Sequence, residues 1–273
     1  MIEREVKIST KHGDMPTFFA SPFESEPLSV VIIYMDIWGI REELRQIARH
    51  VAQLGYCCAL PDLFYRHGRI RHDFRDANGR MITLEKLSEE EKARVRAPLR
   101  DLSDLMVMQD TEALLQFARI EKWTSAGPAG VIGYCMGGRY ALVAAGTFPD
   151  QVRAAACLHG TNLVTDGPDS PHRIAANAKG EIYCGFAERD RFASPAVVQA
   201  LEEELQKAGV NFHFEIHSGI DHGYALPDRD LYDATATGRD WQMIIAMLRR
   251  QLRVESNISG EMNEEAFTHL GSP

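Results

Sequence analysis

The stretch 129–138, Ala-Gly-Val-Ile-Gly-Tyr-Cys-Met-Gly-Gly, decides the fold of this chain. It starts as an apolar run, and a helix-like pattern follows over 139–148. A strand–turn–helix with a Gly-x-nucleophile-x-Gly core is typical of a sharp turn that exposes one side chain at the end of a sheet. Cys135 occupies the nucleophile position, and a thiol attacks as its thiolate and forms a thioester. The alternative is a glycine-rich turn with an incidental cysteine.

Composition and charge exclude several classes of function. The 273 residues carry 30 Lys and Arg against 39 Asp and Glu, so we expect no nucleic-acid surface. No apolar stretch approaches membrane-spanning length, and the acidic N-terminus lacks the apolar segment of a signal peptide, so we expect no membrane association. The five cysteines are odd in number and mostly lie in apolar runs, which indicates reduced thiols in a cytoplasmic protein. No Cys or His spacing suits a metal site.

The order of elements predicts an α/β fold. Strand-like runs occur at 5–9, 17–20, 30–35, 56–60, 130–134, 154–159, 182–187 and 212–217. Helical patterns separate most of them, at 41–54, 102–120, 194–208 and 231–252. We therefore predict a single domain over 1–252, with a mainly parallel eight-stranded sheet covered by helices on both faces. Residues 253–273 form a polar C-terminal tail.

A polar segment, 66–100, interrupts this alternation directly after a strand. Five arginines fall between Arg66 and Arg80. We predict that the segment lies beside the pocket mouth and offers a cation to the substrate. The alternative is a solvated surface loop.

A nucleophilic cysteine needs a base, and the base needs an orienting acid. Asp190 follows the strand-like run 182–187, and His222 follows the run 212–217, in the chain order that an α/β-hydrolase requires. Both therefore fall at the same sheet edge as Cys135. Glu188 is a rival for the acid. Asp221 adjoins His222, but neighbours on a loop rarely point at each other.

Other residues are candidates for the pocket. The backbone N–H groups of Met136 and Ile37 are the expected oxyanion hole. Asp36 either accepts a hydrogen bond from the thiol or caps the helix that follows it. His159 ends a strand at this edge and is expected to line the pocket. His213 and His217 alternate along a strand, which indicates packing or surface positions.

These motifs resemble the dienelactone hydrolase (carboxymethylenebutenolidase) family of the α/β-hydrolase superfamily. The resemblance runs from about Val30 to His222 and rests on 35–39 (Met-Asp-Ile-Trp-Gly), 55–64, 133–138 and the positions of Asp190 and His222. It implies the α/β-hydrolase fold and a pocket that includes Asp36, Trp38 and Tyr224. Well-known members carry Glu at the position of Asp36, and an arginine for the substrate carboxylate sits closer to the catalytic histidine than Arg229 does here.

The predicted function is hydrolysis of a small-molecule carboxylic ester or lactone by a Cys135–His222–Asp190 triad, without metal or organic cofactor. A rival from another class is a non-catalytic or redox-sensing protein on the same scaffold, in which Cys135 is an oxidisable thiol. Catalytic turnover of an ester would distinguish the two.

Overall fold

A computed structural model describes residues 1–23, 26–68 and 70–252. Its centre is one eight-stranded sheet. The strands are β1 (Ile2–Thr10), β2 (Gly13–Ser21), β3 (Val30–Tyr34), β4 (Cys57–Pro61), β5 (Ala129–Tyr134), β6 (Val152–Leu158), β7 (Glu181–Arg189) and β8 (Asn211–Asp221). Their order across the sheet is β1-β2-β4-β3-β5-β6-β7-β8. The ladders from β4 to β8 are parallel, whereas β2 pairs antiparallel with both β1 and β4.

Seven α-helices accompany the sheet in the described ranges: α1 (Glu42–Gln53), α2 (Glu89–Arg96), α3 (Asp104–Ile120), α4 (Met136–Thr147), α5 (Pro171–Ala175), α6 (Pro195–Ala208) and α7 (Ala234–Gln251). The central strands β3, β4 and β5 are buried along their whole length. Strands buried on both faces read as continuous apolar runs, because helices cover the two sides. The fold is therefore the single-domain α/β arrangement that the sequence predicted.

The predicted elements match the observed ones closely. Each of the eight strand-like runs overlaps a strand, and the runs 30–35, 56–60 and 154–159 extend one residue beyond it. The four long helical patterns correspond to α1, α3, α6 and α7. The short helix α5, whose first residue is Pro171, lies between β6 and β7, where the sequence predicted no helix. Residues 253–273, the predicted tail, lie outside the described residues. None of the helices in the described ranges has the length and apolar character needed to cross a membrane.

The segment 66–100 packs against the carboxyl edge of the sheet. Its apolar side chains Met81, Leu87 and Val95 form a small buried cluster with Trp38, which follows β3. Backbone hydrogen bonds join Met81 to Asp228 (2.7 Å) and to Asp230 (3.1 Å) in the loop after β8. This segment is therefore held over the edge where the loops after β3 and β8 meet.

Candidate active site

The turn between β5 and α4 presents Cys135 at the sheet edge. Cys135 adopts φ 56° and ψ −116°, a strained conformation for a residue with a side chain. A Cβ on Gly133 would lie 1.9 Å from the carbonyl oxygen of Gly137, and a Cβ on Gly137 would lie 2.3 Å from that of Tyr34. Both positions of the motif therefore require glycine, because strand and helix approach more closely than any side chain allows.

His222 and Asp190 meet Cys135 because their strands end side by side. The last residues of β7 and β8, Arg189 and Asp221, are register partners, so the residues that follow each strand are neighbours. Nδ1 of His222 lies 2.6 Å from Oδ2 of Asp190, and Nε2 lies 3.3 Å from Sγ of Cys135. The Asp190 side chain is buried, and its other oxygen accepts the backbone N–H of Phe192 at 2.8 Å. The structure thus brings together the three residues of the predicted triad.

The rival residues have other partners. Glu188 is exposed and accepts hydrogen bonds from Ser218 and Gly219 in the neighbouring strand. Asp221 forms an ion pair with Arg189 at 2.6 Å. His217 is buried and hydrogen-bonded to Asp240 at 2.7 Å. These contacts favour Asp190 as the acid of the site and His222 as its base.

Charge and burial act in opposite directions on His222. Burial alone would lower its pKa, but the thiolate charge of Cys135 and the hydrogen bonds to Asp190 and Cys135 outweigh this and raise the pKa to about 10. The raised pKa of His222 therefore favours its imidazolium form at neutral pH. The four other cysteines are buried, and burial raises the pKa of Cys57 to about 12. Only Cys135, among the five, has an accessible thiol beside a base.

A cavity of about 920 Å³ opens in front of these residues. Apolar and aromatic side chains from five parts of the chain line much of it: Ile37, Trp38, Leu84, Leu99, Met136, Phe192 and Leu231. Charged side chains complete the wall: Asp36, Glu85, Arg96, Arg100, Arg189, Arg191, Asp221 and Arg229. Such a mixture of apolar surface and a few charged groups is suited to a small organic molecule.

The two proposed oxyanion-hole residues both line this cavity. Met136 is the first residue of α4, where backbone N–H groups have no acceptor within the helix. Ile37 lies in the loop after β3, the strand that pairs with β5 in the sheet. Their role in binding an oxyanion stays a prediction.

Asp36 belongs to an ion-pair cluster. Its carboxylate is buried and accepts two hydrogen bonds from Arg41, at 2.7 and 3.1 Å, and one from the backbone N–H of Trp38. Arg41 in turn binds Asp228, which lies 187 residues further along the chain. The alternative that Asp36 caps the next helix is wrong, because the N-cap of α1 is Arg41, which makes no side-chain cap bond.

Arg229 is the buried cation of the cavity. Its side chain is 7% exposed, its guanidinium lies 4.8 Å above the ring of Trp38, and its nearest ion-pair contact is Asp36 at 3.9 Å. Nε of Arg229 is buried without a hydrogen-bond partner. Burial lowers the pKa of this guanidinium, although an arginine side chain keeps its charge in proteins. In the sequence Arg229 stood out only as further from His222 than the substrate arginine of well-known family members, because residues 223–228 separate the two.

The arginines between 66 and 80 do not provide the expected cation. Arg66 forms an ion pair with the buried Asp110 on α3, whereas Arg71 and Arg75 line a different cleft. From the segment 66–100, the cavity takes Arg96 and Arg100 instead. The segment does lie beside the pocket, but the prediction about Arg66–Arg80 is wrong for the described arginines, since this part of the segment turns toward α3 and β2. Arg69 lies outside the described residues.

Of the two predicted pocket residues His159 and Tyr224, only His159 lies at the cavity wall. His159 lines the cavity, as expected, with its ring 4.9 Å from that of His222 between centroids. Tyr224, expected in the pocket, is fully buried behind His159 and is not part of the cavity wall. Its hydroxyl donates to Asp240 at 2.7 Å, which turns the side chain away from the cavity and toward α7.

Asp240, on α7, is the centre of a buried polar network. It accepts hydrogen bonds from Tyr183 and Tyr224, and His217 lies at hydrogen-bond distance from one of its oxygens. Glu215, His217 and Asp240 bring potential metal-ligand atoms within 4.8 Å of one another. Since the carboxylate of Asp240 is already bonded by three protein groups, the arrangement fits a structural network better than a metal site.

Comparison with known proteins assigns this chain to a family. The family model described as "Dienelactone hydrolase family" matches residues 15–252. The chain therefore belongs to the dienelactone hydrolase family, whose members are hydrolases acting on lactones and esters.

Individual relatives are distant but cover most of the chain. A protein of Methylorubrum extorquens named "Putative carboxymethylenebutenolidase" is 25% identical over 248 residues, covering 89% of this chain and 79% of the relative. Protein usf of Aquifex pyrophilus is 26% identical and covers 81% and 88%.

Solved structures show the same fold. A dienelactone hydrolase-like promiscuous phosphotriesterase from metagenomic libraries superposes with a TM-score of 0.73 at 17% identity, covering 92% of this chain and 99% of that one. The dienelactone hydrolase of Anabaena variabilis superposes with a TM-score of 0.63 at 16% identity, with the same coverage. At these identities the likeness concerns the fold.

Proposed function

We propose that this protein hydrolyses carboxylic esters or lactones through the thiolate of Cys135. The observation that carries the proposal is the continuous contact from Asp190 to His222 to Cys135, at 2.6 and 3.3 Å, at the wall of a cavity of about 920 Å³. Membership of a hydrolase family supports the same conclusion.

Each group has one role in the proposed reaction. The thiolate attacks the carbonyl carbon, a C–S bond forms, and the electron pair of the C=O bond moves to oxygen, where the N–H groups of Met136 and Ile37 receive it. The oxyanion then collapses, the C–O bond to the leaving group breaks, and His222 supplies the proton to that oxygen. His222 next takes a proton from water, which attacks the thioester and releases the acid and the thiolate.

The thiolate restricts which esters turn over. In the tetrahedral intermediate, the thiolate and the substrate oxygen compete to leave. A thiol of pKa about 8.5 leaves more readily than an alkoxide, whose conjugate acid is close to water at about 15.7. A phenolate, whose conjugate acid has a pKa of about 10, is a far better leaving group than an alkoxide. Aryl and enol esters should therefore be better substrates than alkyl esters, and amides should not be cleaved.

The test compares phenyl acetate with ethyl acetate. We expect kcat/KM for phenyl acetate to be higher by at least about a hundredfold, because between five and six pKa units, roughly, separate the two leaving groups. Cys135→Ala should abolish both activities. Equal rates on the two esters would contradict the thiolate mechanism, and peroxide consumption without ester turnover would favour the redox-sensing alternative.

We further propose that the preferred substrates carry an anionic group that binds Arg229. Arg229 is the buried, incompletely paired cation of the cavity, and a carboxylate could bind it without first displacing a close ion pair. A charge-assisted hydrogen bond of this kind contributes about 1.5–3 kcal/mol.

The substrate charge can be tested with two phenyl esters, phenyl acetate and monophenyl succinate. Arg229→Gln should raise KM for monophenyl succinate by about tenfold to a hundredfold, and should change KM for phenyl acetate by less than about threefold. Arg100→Gln, which removes an exposed arginine of the same cavity, should have a smaller effect on the succinate. If Arg100→Gln has the larger effect, the anion binds at the rim and not at Arg229.

A further inference from the structure

His159 has an unusual environment for a histidine. It is 1% exposed, and neither Nδ1 nor Nε2 has a hydrogen-bond partner. Its backbone adopts φ 38°, a left-handed conformation that a residue with a side chain rarely occupies, and its N–H donates to Gly185 at 2.8 Å. Strained residues and unpaired buried polar groups both destabilise a fold, so their coincidence beside a reaction centre indicates a function.

The contacts of His159 are contacts between rings. Its imidazole lies 4.9 Å from the ring of His222, at 75° between the planes. The rings of Tyr224 and Tyr134 lie 5.5 and 6.1 Å away. Neither nitrogen is bonded to these neighbours, so the contacts of His159 with them are contacts between aromatic rings.

Burial keeps this ring uncharged. The pKa of His159 is held well below its usual value, first by burial and then by the positive charges of His222 and Arg229. The tyrosines Tyr134 and Tyr224, which complete its surroundings, have raised pKa values and are neutral as well. His222 therefore faces a neutral aromatic ring, whereas a second positive charge at this distance would oppose its protonation.

We propose that His159 is a positioning residue that supports the imidazolium form of His222 through an aromatic contact. An aromatic ring within about 6 Å of a cation stabilises it by roughly 0.5–2 kcal/mol, and the contact also restricts rotation of His222 away from Asp190 and Cys135. The inference rests on the proposed role of His222 as the base, and it assigns a reason for the strained backbone of His159.

The test measures the protonation of His222 directly. The imidazole Cε1–H resonance of His222, assigned by its loss in His222→Gln, is followed against pH in an NMR titration of the whole protein. His159→Leu fills much of the space without an aromatic ring, and should lower the measured pKa of His222 by about half to one unit, since one pKa unit corresponds to 1.36 kcal/mol. His159→Phe, which restores a neutral ring, should bring the pKa back toward the wild-type value.

His172→Leu is the matched control. His172 is also buried, with a pKa lowered by burial, but its Nδ1 lies 2.7 Å from the hydroxyl of Ser170, away from the cavity. This variant should leave the titration of His222 unchanged. The proposal is overturned if His159→Leu titrates like the wild type, or if His172→Leu produces the same shift.

A second comparison keeps the test decisive if the larger phenyl ring does not fit. His159→Ala should then lower the pKa of His222 at least as much as His159→Leu does, and an unchanged value would overturn the proposal. Since the titration requires no ester turnover, its outcome is independent of whether the proposed hydrolysis is correct.

Discussion

At the scale of single residues, the site depends on the ends of β7 and β8 lying side by side. The pairing of Arg189 with Asp221 places Asp190 and His222 next to each other, and the strained turn at Cys135 brings the thiol to the same edge. The buried carboxylate of Asp190 lies against Nδ1 of His222 and so holds a proton on that nitrogen.

This arrangement predicts a strong effect of a minimal substitution. Asp190→Asn keeps the shape of the side chain but removes the charge that orients and stabilises the imidazolium, so kcat on phenyl acetate should fall by about 10³–10⁴-fold. The matched control is Glu188→Gln, since Glu188 is exposed and bonded to Ser218 and Gly219. Its kcat should stay within about twofold of the wild type. The reverse order of effects would make Glu188 the acid.

The sequence predicted these three residues because chain order and strand ends suffice to locate them. It did not predict the partners of Asp36, because Asp228 and Arg229 come from a loop almost two hundred residues away. The position of Arg229 depends on the backbone hydrogen bonds between the loop after β8 and Met81. No periodicity in the sequence predicts such a contact.

At the scale of elements, the network around Asp240 joins four parts of the chain. Tyr183 comes from β7, His217 from β8 and Tyr224 from the loop that carries His222, and all three bind one carboxylate of α7. Burial alone would lower the pKa of His217, but the hydrogen bond and charge of Asp240 outweigh it and raise that pKa. The network therefore couples the strands to the loop of the proposed base.

Removing this carboxylate should weaken the fold in a pH-dependent way. Asp240→Asn is expected to lower the free energy of unfolding by about 3 kcal/mol, because it removes one partner of a buried charged pair. Since the pKa of folded His217 is raised above its ordinary 6.5, this stabilisation is complete below about pH 6.5 and decreases as the pH rises through the raised value.

Urea unfolding at pH 6 and pH 9 measures this dependence. The difference in free energy of unfolding between the wild type and Asp240→Asn should be larger at pH 6 than at pH 9. Glu215→Gln, which alters a partly exposed neighbour 3.7 Å from His217, is the control and should change stability by less than about 1 kcal/mol. A difference that is equal at both pH values would show that His217 is not charged in the folded protein.

Secondary structure was predictable where periodicity is long and less so where it is short. The eight strands and four long helices follow from apolar patterns. Helix α5 has only five residues, too few for a helical pattern to appear. The orientation of the segment 66–100 depends on the cluster of Met81, Leu87 and Val95 with Trp38, which is a tertiary contact that its polar composition conceals.

At the scale of the whole molecule, the protein has a formal net charge of −9, whereas its cavity wall carries five arginines against three acidic side chains. The fold thus gathers positive charge at the carboxyl edge of the sheet, next to the proposed nucleophile. This distribution is consistent with an anionic ester or lactone as substrate.

The central claim is that an acyl group passes through Cys135, and mass spectrometry of acid-quenched reactions tests it most directly. Samples taken during the first turnovers of phenyl acetate should contain an acetyl group on the peptide that includes Cys135. The group should disappear as the substrate is exhausted, and Cys135→Ala should neither acquire it nor turn over the ester. An acetyl group on another residue, or turnover by Cys135→Ala, would contradict the proposed thioester mechanism.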